Sequence, residues 1–492
     1  MMWACAAFAL VTAAFPVARA FFRVEVDYNE GWNVYTAGAL AAHQLLYPVR
    51  SGWTTVNYPM GWFAILAGLH RWTGEYLFTG RALSVVGLAG QSVLVAAIVR
   101  RLGGSPQAAW LAALLAVAVF ATDADVYVGM NDPQMFALIF FLGGLLVYLG
   151  PWGRESFAGL AGAAVLFVVG GSIKHSPIDF PLAVLLELLL LRPSRAAWFA
   201  GCGLGFAAIS VGLNIRFGGP HFIDQMLGPR SWAASKAFAD LENLLGPLLL
   251  PVCVAAGTAI ALRRDRTRRI AGILLGTSLV VGGYFGGGRG VSINALFSAL
   301  LAMVILLGLF FDAVAKGEWG WTRREDAARK TAKNLVPGWV GYAPVVLFGW
   351  LLIPWLLVPA IISGFAGGAW DPVHRLRATR AAERRFGAET RMLQSAPGPV
   401  LCESLLACAL AGKPYVYDPF NATRMIDFGR LDVGVVVDAV RRREYGAVQF
   451  DSPMQFERGS ERWDARIVAA VEENYRPLVV NEDGEIYVPK PR

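Results

Sequence analysis

Apolar runs of about 15 to 22 residues recur along most of the chain between short polar loops. About 20 residues at 1.5 Å rise cross a hydrocarbon layer of about 30 Å, so runs of this length predict membrane-spanning helices. They fall near Trp3–Phe22, Arg81–Val99, Ala108–Ala121, Met135–Leu149, Phe157–Ile173, Ile178–Leu191 and Ala197–Leu213. Further runs lie near Leu244–Leu262, Ile270–Phe285, Ile293–Phe311 and Trp339–Ile361, which makes about eleven spans. Pro177 and Pro181 interrupt Phe157–Leu191, which reads as a tight hairpin of two short helices.

Two segments break this pattern. The loop after the first span, residues 23–80, holds a predicted helix near Gly31–Leu46 and a shorter apolar piece, Tyr58–Leu69, of a length that suits an interfacial helix. Beyond about Phe365 the apolar runs shorten to strand length: Val400–Cys402, Tyr415–Tyr417, Ala447–Phe450, Pro477–Val480 and Ile486–Val488. Helical patterns near Leu405–Ala411, Val433–Arg442 and Arg462–Glu473 separate them, and Asp483-Gly484 reads as a hairpin turn. The expected fold is therefore a polytopic α-helical membrane protein of about eleven spans (residues 1–364) carrying a C-terminal α/β domain (residues 365–492). No internal repeat of solenoid length is present.

Composition agrees. Hydrophobic residues make up 56% of the chain and charged residues only 16%, which excludes a soluble enzyme, a disordered chain and a fibrous repeat. A formal charge of +8 would point to nucleic acid in a soluble protein. Here the cations sit in alternate loops: Arg100-Arg101, Arg192 with Arg195, Arg263 through Arg269, and Lys316 through Lys333. The positive-inside rule assigns these loops to the cytoplasm. No nucleic-acid partner is expected; the N-terminus is cytoplasmic, and the C-terminal domain lies outside. A cleavable leader ending at Ala18-Arg19-Ala20 competes with the first span, but no basic segment precedes its apolar stretch. Cys5, Cys202 and Cys253 lie in apolar runs and read as packing residues, whereas Cys402 and Cys408 can pair if their domain is extracytoplasmic. No His/Cys cluster has zinc spacing.

Candidate chemistry gathers in the outer loops. Asp27-Tyr28-Asn29-Glu30-Gly31-Trp32 follows the first span, with two carboxylates at a helix start. They read either as a capping arrangement or as a catalytic pair. Asn131-Asp132-Pro133 reads alone as an Asx turn, and Lys174-His175 as a snorkelling interfacial cation. The segment Gly286-Gly287-Gly288-Arg289-Gly290-Val291-Ser292-Ile293-Asn294 is a flexible turn or a phosphate cradle. Their convergence on one membrane face favours a site there. Lys174 and Arg289 would balance a phosphate leaving group, and one carboxylate would deprotonate an attacking hydroxyl.

With Leu45-Leu46-Tyr47-Pro48 and Asn57-Tyr58-Pro59, this loop resembles the first outer loop of the GT-C superfamily of integral-membrane glycosyltransferases. It is most similar to the protein mannosyltransferase and lipid A aminoarabinose transferase families. The resemblance implies an inverting transfer from a polyprenyl-phosphate sugar donor to an acceptor hydroxyl of a glycan, lipid or protein, at the outer face of a bacterial inner membrane. It implies Asp27 as catalytic acid group, Glu30 as its companion and Asp132 as the later acid. Lys174 and His175 then take the donor phosphate with Arg289, and Asn294 heads a late span. Trp32 and Tyr58 are expected to line the substrate cavity. Some relatives use a divalent metal, Mg or Mn, for which Asp27, Glu30 and Asp132 are the candidates. The pattern departs where relatives have adjacent Asp-Glu: Asn29 precedes Glu30 here, and the base is either Asp27 or Glu30. The second Pro that relatives often carry is also missing after Asn57-Tyr58-Pro59, where Met60 stands. The alternative function, a transporter or flippase of a lipid-linked sugar, predicts midplane polar residues and paired broken helices, of which the sequence offers few. The C-terminal domain is expected to cap the cavity and help recognise the acceptor.

Overall fold

The computed structural model describes residues 2–317, 372–451, 462–481 and 484–491. The apolar runs fold into helices α1 (Met2–Arg19), α4 (Leu77–Arg101), α5 (Pro106–Asp123), α6 (Pro133–Tyr148), α7 (Phe157–Ile173), α8 (Asp179–Leu191) and α9 (Pro193–Leu213). Helices α12 (Leu249–Leu262), α13 (Arg269–Gly286) and α14 (Phe297–Ala315) complete the described bundle. Several start where a side chain satisfies a free backbone N–H. Ser105 accepts from the amide of Ala108 ahead of Pro106, Asp132 from Gln134 ahead of Pro133, and Ser156 from Gly159. Helix α14 runs through the centre, buried from Phe297 to Leu309, whereas α9 turns Leu204, Ile209 and Leu213 outward, as lipid contact requires.

Among the described residues, six helices are long and apolar enough to cross a membrane, and seven if one bent pair counts as a span. Helices α6 and α7 have 16 and 17 residues and α8 has 13, matching the short runs read there to within a residue or two, and all fall below the about 20 residues that cross a bilayer upright. The span expected over Leu244–Leu262 is instead broken. Helices α11 (Ala234–Leu245) and α12 meet at 94°, because Gly246-Pro247 ends the first: proline offers no N–H to continue its hydrogen-bond ladder. Trp339–Ile361 lies outside the described residues.

The two ends of the bundle differ chemically. At one end Glu187 meets Arg154 at 3.1 Å and Arg269 at 3.4 Å, Asp312 accepts from Ser105 N and Lys316, and Arg268 donates to the carbonyl of Leu102. The loops at this end are the ones rich in arginine. The opposite end holds α2 (Asn29–Ala41) and α3 (Gly61–Thr73) of the first long loop. Both begin within a few residues of their expected positions. There Arg19 donates to the carbonyls of Asp125 and Val128, which fixes α1 to the α5–α6 connection.

Beyond the bundle, helix α15 (Pro372–Ser395) leads to strand β1 (Val400–Cys402), followed by α16 (Leu405–Leu410), α17 (Pro419–Asp427) and α18 (Gly434–Arg441). Strand β2 (Ala447–Phe450), α19 (Ala465–Asn474), β3 (Tyr475–Asn481) and β4 (Gly484–Pro489) complete a four-stranded sheet of order β1-β2-β4-β3. The β1–β2 pair is parallel, with helices crossing over, and the other pairs are antiparallel. Asn481 pairs with Gly484 at the hairpin end. A disulfide joins Cys402 and Cys408, whose Cα atoms are 6.1 Å apart. Tyr415–Tyr417, predicted as a strand, is not one. Its side chains are taken up by packing: Tyr415 stacks on Tyr35 at 4.7 Å and donates to Asp418, and Tyr417 stacks on Trp463 at 5.4 Å.

The small domain sits directly on the first long loop. Gly31 allows this. A methyl group there would lie 2.7 Å from Leu405 Cβ and closer still to the Leu406 backbone nitrogen. Gly31→Ala must therefore push α16 off α2, at a cost of roughly 1–3 kcal/mol. The expected readout is a lower melting midpoint and faster proteolytic release of the C-terminal domain. An unchanged cleavage rate would show that this contact does not hold the domain.

Candidate active site

The site is built at the bundle end that carries the first long loop. Glu30 lies in the first turn of α2 and is wholly buried. Its oxygens accept from Arg81 Nε at 2.7 Å and Nη2 at 2.5 Å, and from the amides of Val26 (2.8 Å) and Asn131 (2.9 Å). Arg81, equally buried, also donates to the carbonyls of Phe22 and Val24. One fork-shaped ion pair thus ties α2, α4, the loop entry and the Asn131 turn together. Every lone-pair direction of Glu30 is used.

Asp27 is placed differently. It is partly exposed, and among the described residues its carboxylate accepts from the amide of Asn29 alone, at 3.0 Å. Burial pushes its carboxyl above the usual range, the charges of Asp132 and Glu30 add to this, and Arg462 together with the Asn29 amide pulls the other way. Asp132 caps α6 through Oδ1, while its buried Oδ2 accepts no hydrogen bond among the described residues and faces Lys174 Nζ at 3.9 Å.

Lys174 ends α7 and is 4% exposed. It donates to the Tyr58 hydroxyl, and its ammonium lies 3.7 Å from the centre of that ring. Tyr58 packs edge-on against Trp32 at 5.0 Å and against His175 at 6.2 Å. The indole N–H of Trp32 is buried and has no acceptor among the described residues. Burial, Lys174 and Arg230 hold the His175 imidazole down to about 4, so it is neutral at physiological pH. The structure thus brings Asp132, Lys174, His175, Tyr58 and Trp32 into one cluster, with the charge of Asp132 acting on Asp27 beside it.

Arg289 and Asn294 stand apart from that cluster. Arg289 pairs with Asp427 of the C-terminal domain. Asn294 lies in a short 3-10 turn, Ile293–Leu296, ahead of α14, and no hydrogen bond joins its side chain to the cluster among the described residues. The loop still reaches the site through Ser292, which lies near Tyr127. Tyr127, absent from the sequence reading, feels the charges of Asp132, Asp27 and Tyr58, and is held edge-on to Phe297 at 5.0 Å. Arg230 was also missed. It lies half-buried near Tyr58 and His175. Neither residue belongs to a run or a motif that would mark it.

The C-terminal domain clamps the acidic loop. The Tyr28 hydroxyl donates to Asp418, and the Arg462 guanidinium lies 4.7 Å from the centre of the Tyr28 ring. Asp418 also accepts from Tyr415 at 2.9 Å and from the amide of Asn421, which makes it the cap of α17. Tyr35 donates to the carbonyl of Lys413 at 2.8 Å. Asp27 therefore sits directly ahead of a residue held by the domain, Tyr28, and three before one held by the bundle, Glu30.

A divalent ion does not fit the three acids named for it. Glu30 is closed by Arg81, and among the described residues no three His, Cys, Asp or Glu side chains come together to hold a metal ion.

The same architecture occurs in solved membrane enzymes. ArnT from Cupriavidus metallidurans bound to undecaprenyl phosphate superposes with a TM-score of 0.59 over 99% of this chain and 98% of its own, at 15% identity. The two chains share one fold. The Archaeoglobus fulgidus oligosaccharyltransferase in its apo form matches all of this chain and 74% of its own with a TM-score of 0.55 and 12% identity. With an acceptor peptide tethered, that enzyme matches with a TM-score of 0.52. No protein-family model matches the sequence, nor does any curated protein.

Proposed function

We propose that this integral membrane protein is an inverting glycosyltransferase that moves a sugar from a polyprenyl-phosphate donor to an acceptor hydroxyl. The single observation that carries the reading is the placement at one bundle end of a carboxylate raised by burial, Asp27, near Asp132, whose other oxygen faces the buried ammonium of Lys174. The fold shared with ArnT, whose structure holds undecaprenyl phosphate, supports the donor class.

Asp27 is the base. Its carboxylate has unused lone pairs, and a raised pKa brings its basicity closer to what a hydroxyl proton requires. It takes the acceptor proton as that oxygen attacks the anomeric carbon. The bond to the phosphate oxygen breaks on the opposite face, so the configuration inverts. Phosphate needs no proton to leave when its charge is balanced, and Lys174 supplies that balance from a site already shielded from water. Asp132 holds Lys174 in place, and Tyr58 covers it. Neutral His175 donates or accepts a hydrogen bond without adding charge. Glu30 takes no proton and fixes the loop through Arg81. The arginine-rich end faces the cytoplasm and the site faces outward; the Cys402–Cys408 disulfide suits an oxidising compartment.

The test is transfer in proteoliposomes loaded with labelled polyprenyl-phosphate sugar and a mixture of hydroxyl acceptors. The expected result is a labelled glycoside with release of polyprenyl phosphate. Movement of the labelled lipid between leaflets with no glycoside would make the protein a flippase instead.

A further inference from the structure

Helix α15 carries six arginines and two glutamates over Pro372–Ser395. One face of it is packed: Phe386 and Leu393 are buried in a cluster with Leu77, Val400 and Leu406. Arg377, Arg380, Arg384 and Arg391 follow one another at steps of three, four and seven residues, which sets them in one row on the other face, and all four are exposed. None of the four meets an acid among the described residues; Arg380 has the Phe22 ring, 6.0 Å from its guanidinium. Other exposed arginines of the same domain are neutralised locally: Arg441 by Asp438 at 3.5 Å, Arg442 by Glu444 at 2.6 Å and Arg466 by Asp464 at 2.8 Å. A row of like charges three and four residues apart weakens the helix that carries it, unless anions from outside relieve the repulsion.

The row begins where a membrane span ends. Arg375 lies 3.7 Å from the centre of the Phe15 ring and pairs with Asp125 at 2.7 Å. Phe15 belongs to the last turns of α1, which is long and apolar enough to cross a membrane. Further on, Arg380 faces Phe22, and Glu383 accepts from the amide of Arg23 at 2.6 Å. The two segments therefore advance side by side, and α15 leaves the bundle where α1 does. Val373, one turn before Arg377 on the same face, is exposed, and so is Phe21 just past α1. Apolar side chains followed one turn later by guanidiniums are the order in which a helix meets hydrocarbon and then headgroup phosphates. Arg377 to Arg384 covers about 10 Å of helix axis, a stretch that long side chains can gather at one headgroup layer. Arg391 stands about 10 Å further along.

We propose that Arg377, Arg380 and Arg384 dock on anionic phospholipid headgroups, in the leaflet on the side of the C-terminal domain. Guanidinium forks match phosphate oxygens. Three charges without acids beside them favour a lipid of net negative charge over a zwitterionic one. The contact fixes the foot of the domain on the membrane. Through Glu383 it reaches Arg23, four residues ahead of Asp27. It does not depend on the reaction proposed above.

The test uses the full chain in vesicles of phosphatidylcholine and phosphatidylglycerol in equal amounts, with a benzophenone amino acid placed at Ala381, between Arg377 and Arg384. Irradiation and the mass of the adduct read what lies there. The expected adduct is phospholipid, with phosphatidylglycerol enriched about fivefold over its share of the vesicle. High salt lowers the enrichment. Arg377→Gln/Arg380→Gln/Arg384→Gln abolishes it, whereas Arg391→Gln, which removes the same charge from the same face beyond the headgroups, keeps it. Native mass spectrometry of chains without the benzophenone repeats the comparison: the triple variant retains less phosphatidylglycerol than wild type and as much phosphatidylcholine, cations elsewhere contributing equally to both. Adducts in the ratio of the vesicle overturn the proposal. So does an equal loss of enrichment in Arg391→Gln, or an adduct with a second copy of the chain in place of lipid. Where no adduct forms, retention decides, and no difference between wild type and the triple variant overturns it.

Discussion

Asp27→Asn is expected to reduce sugar transfer by roughly 10²–10⁴-fold, the range that a positioned general base contributes, while the protein still inserts, folds and binds polyprenyl phosphate. The substitution keeps the shape and the hydrogen bond from the Asn29 amide, and removes only the basic lone pair. The pH profile gives an independent check. A base must be unprotonated, and the Asp27 carboxyl is raised above its ordinary value by burial. Wild-type kcat/KM should therefore fall as pH drops through a value above about 3.9, the ordinary aspartate pKa. In Asp27→Asn that acid limb should be missing from the residual activity. Full activity in the variant, or an acid limb that persists in it, would remove Asp27 from the chemistry.

The second large effect is on folding. Glu30→Gln leaves the Arg81 guanidinium buried without its anion, and Arg81→Met leaves the Glu30 carboxylate in the same state. Both side chains are wholly buried, so each single change should destabilise the outer end of the bundle by about 3–5 kcal/mol. The measurement is the melting midpoint and the yield of monodisperse protein. Replacing both, as Glu30→Met with Arg81→Met, removes the unpaired charge and should recover much of that loss. A Glu30→Gln protein with a wild-type midpoint but no transfer activity would instead return Glu30 to the role of base.

These two carboxylates show how far the sequence could be read. Their position after the first span was plain, and so was the choice between cap and catalyst. What separates them is Arg81, some 50 residues away and read only as the start of a span; a partner at that distance leaves no local trace. The long helices were legible because lipid imposes length and apolarity together, which α4, α5, α13 and α14 satisfy. The broken α11–α12 pair was missed because apolar residues continue past Gly246-Pro247, so hydropathy alone hides a break that the missing proline N–H imposes. Tyr415–Tyr417 has strand propensity, but its rings are spent on Tyr35, Asp418 and Trp463 rather than on a neighbouring strand. Lys174 and His175 were found because they sit at a helix end in an apolar stretch, where a charge stands out. Arg230 lies in ordinary polar surroundings, and only folding brings it to Tyr58 and His175.

The account rests on one arrangement: a base on the acidic loop and a phosphate held by Lys174, at the end of the bundle covered by the C-terminal domain. The most direct measurement is an experimental structure with polyprenyl phosphate bound. The expected result places the phosphate against Lys174 Nζ and the Tyr58 hydroxyl, with the lipid tail running down the bundle and Asp27 facing the position of the anomeric carbon. A phosphate bound at the arginine-rich end, or one that leaves Lys174 paired only with Asp132, would contradict it.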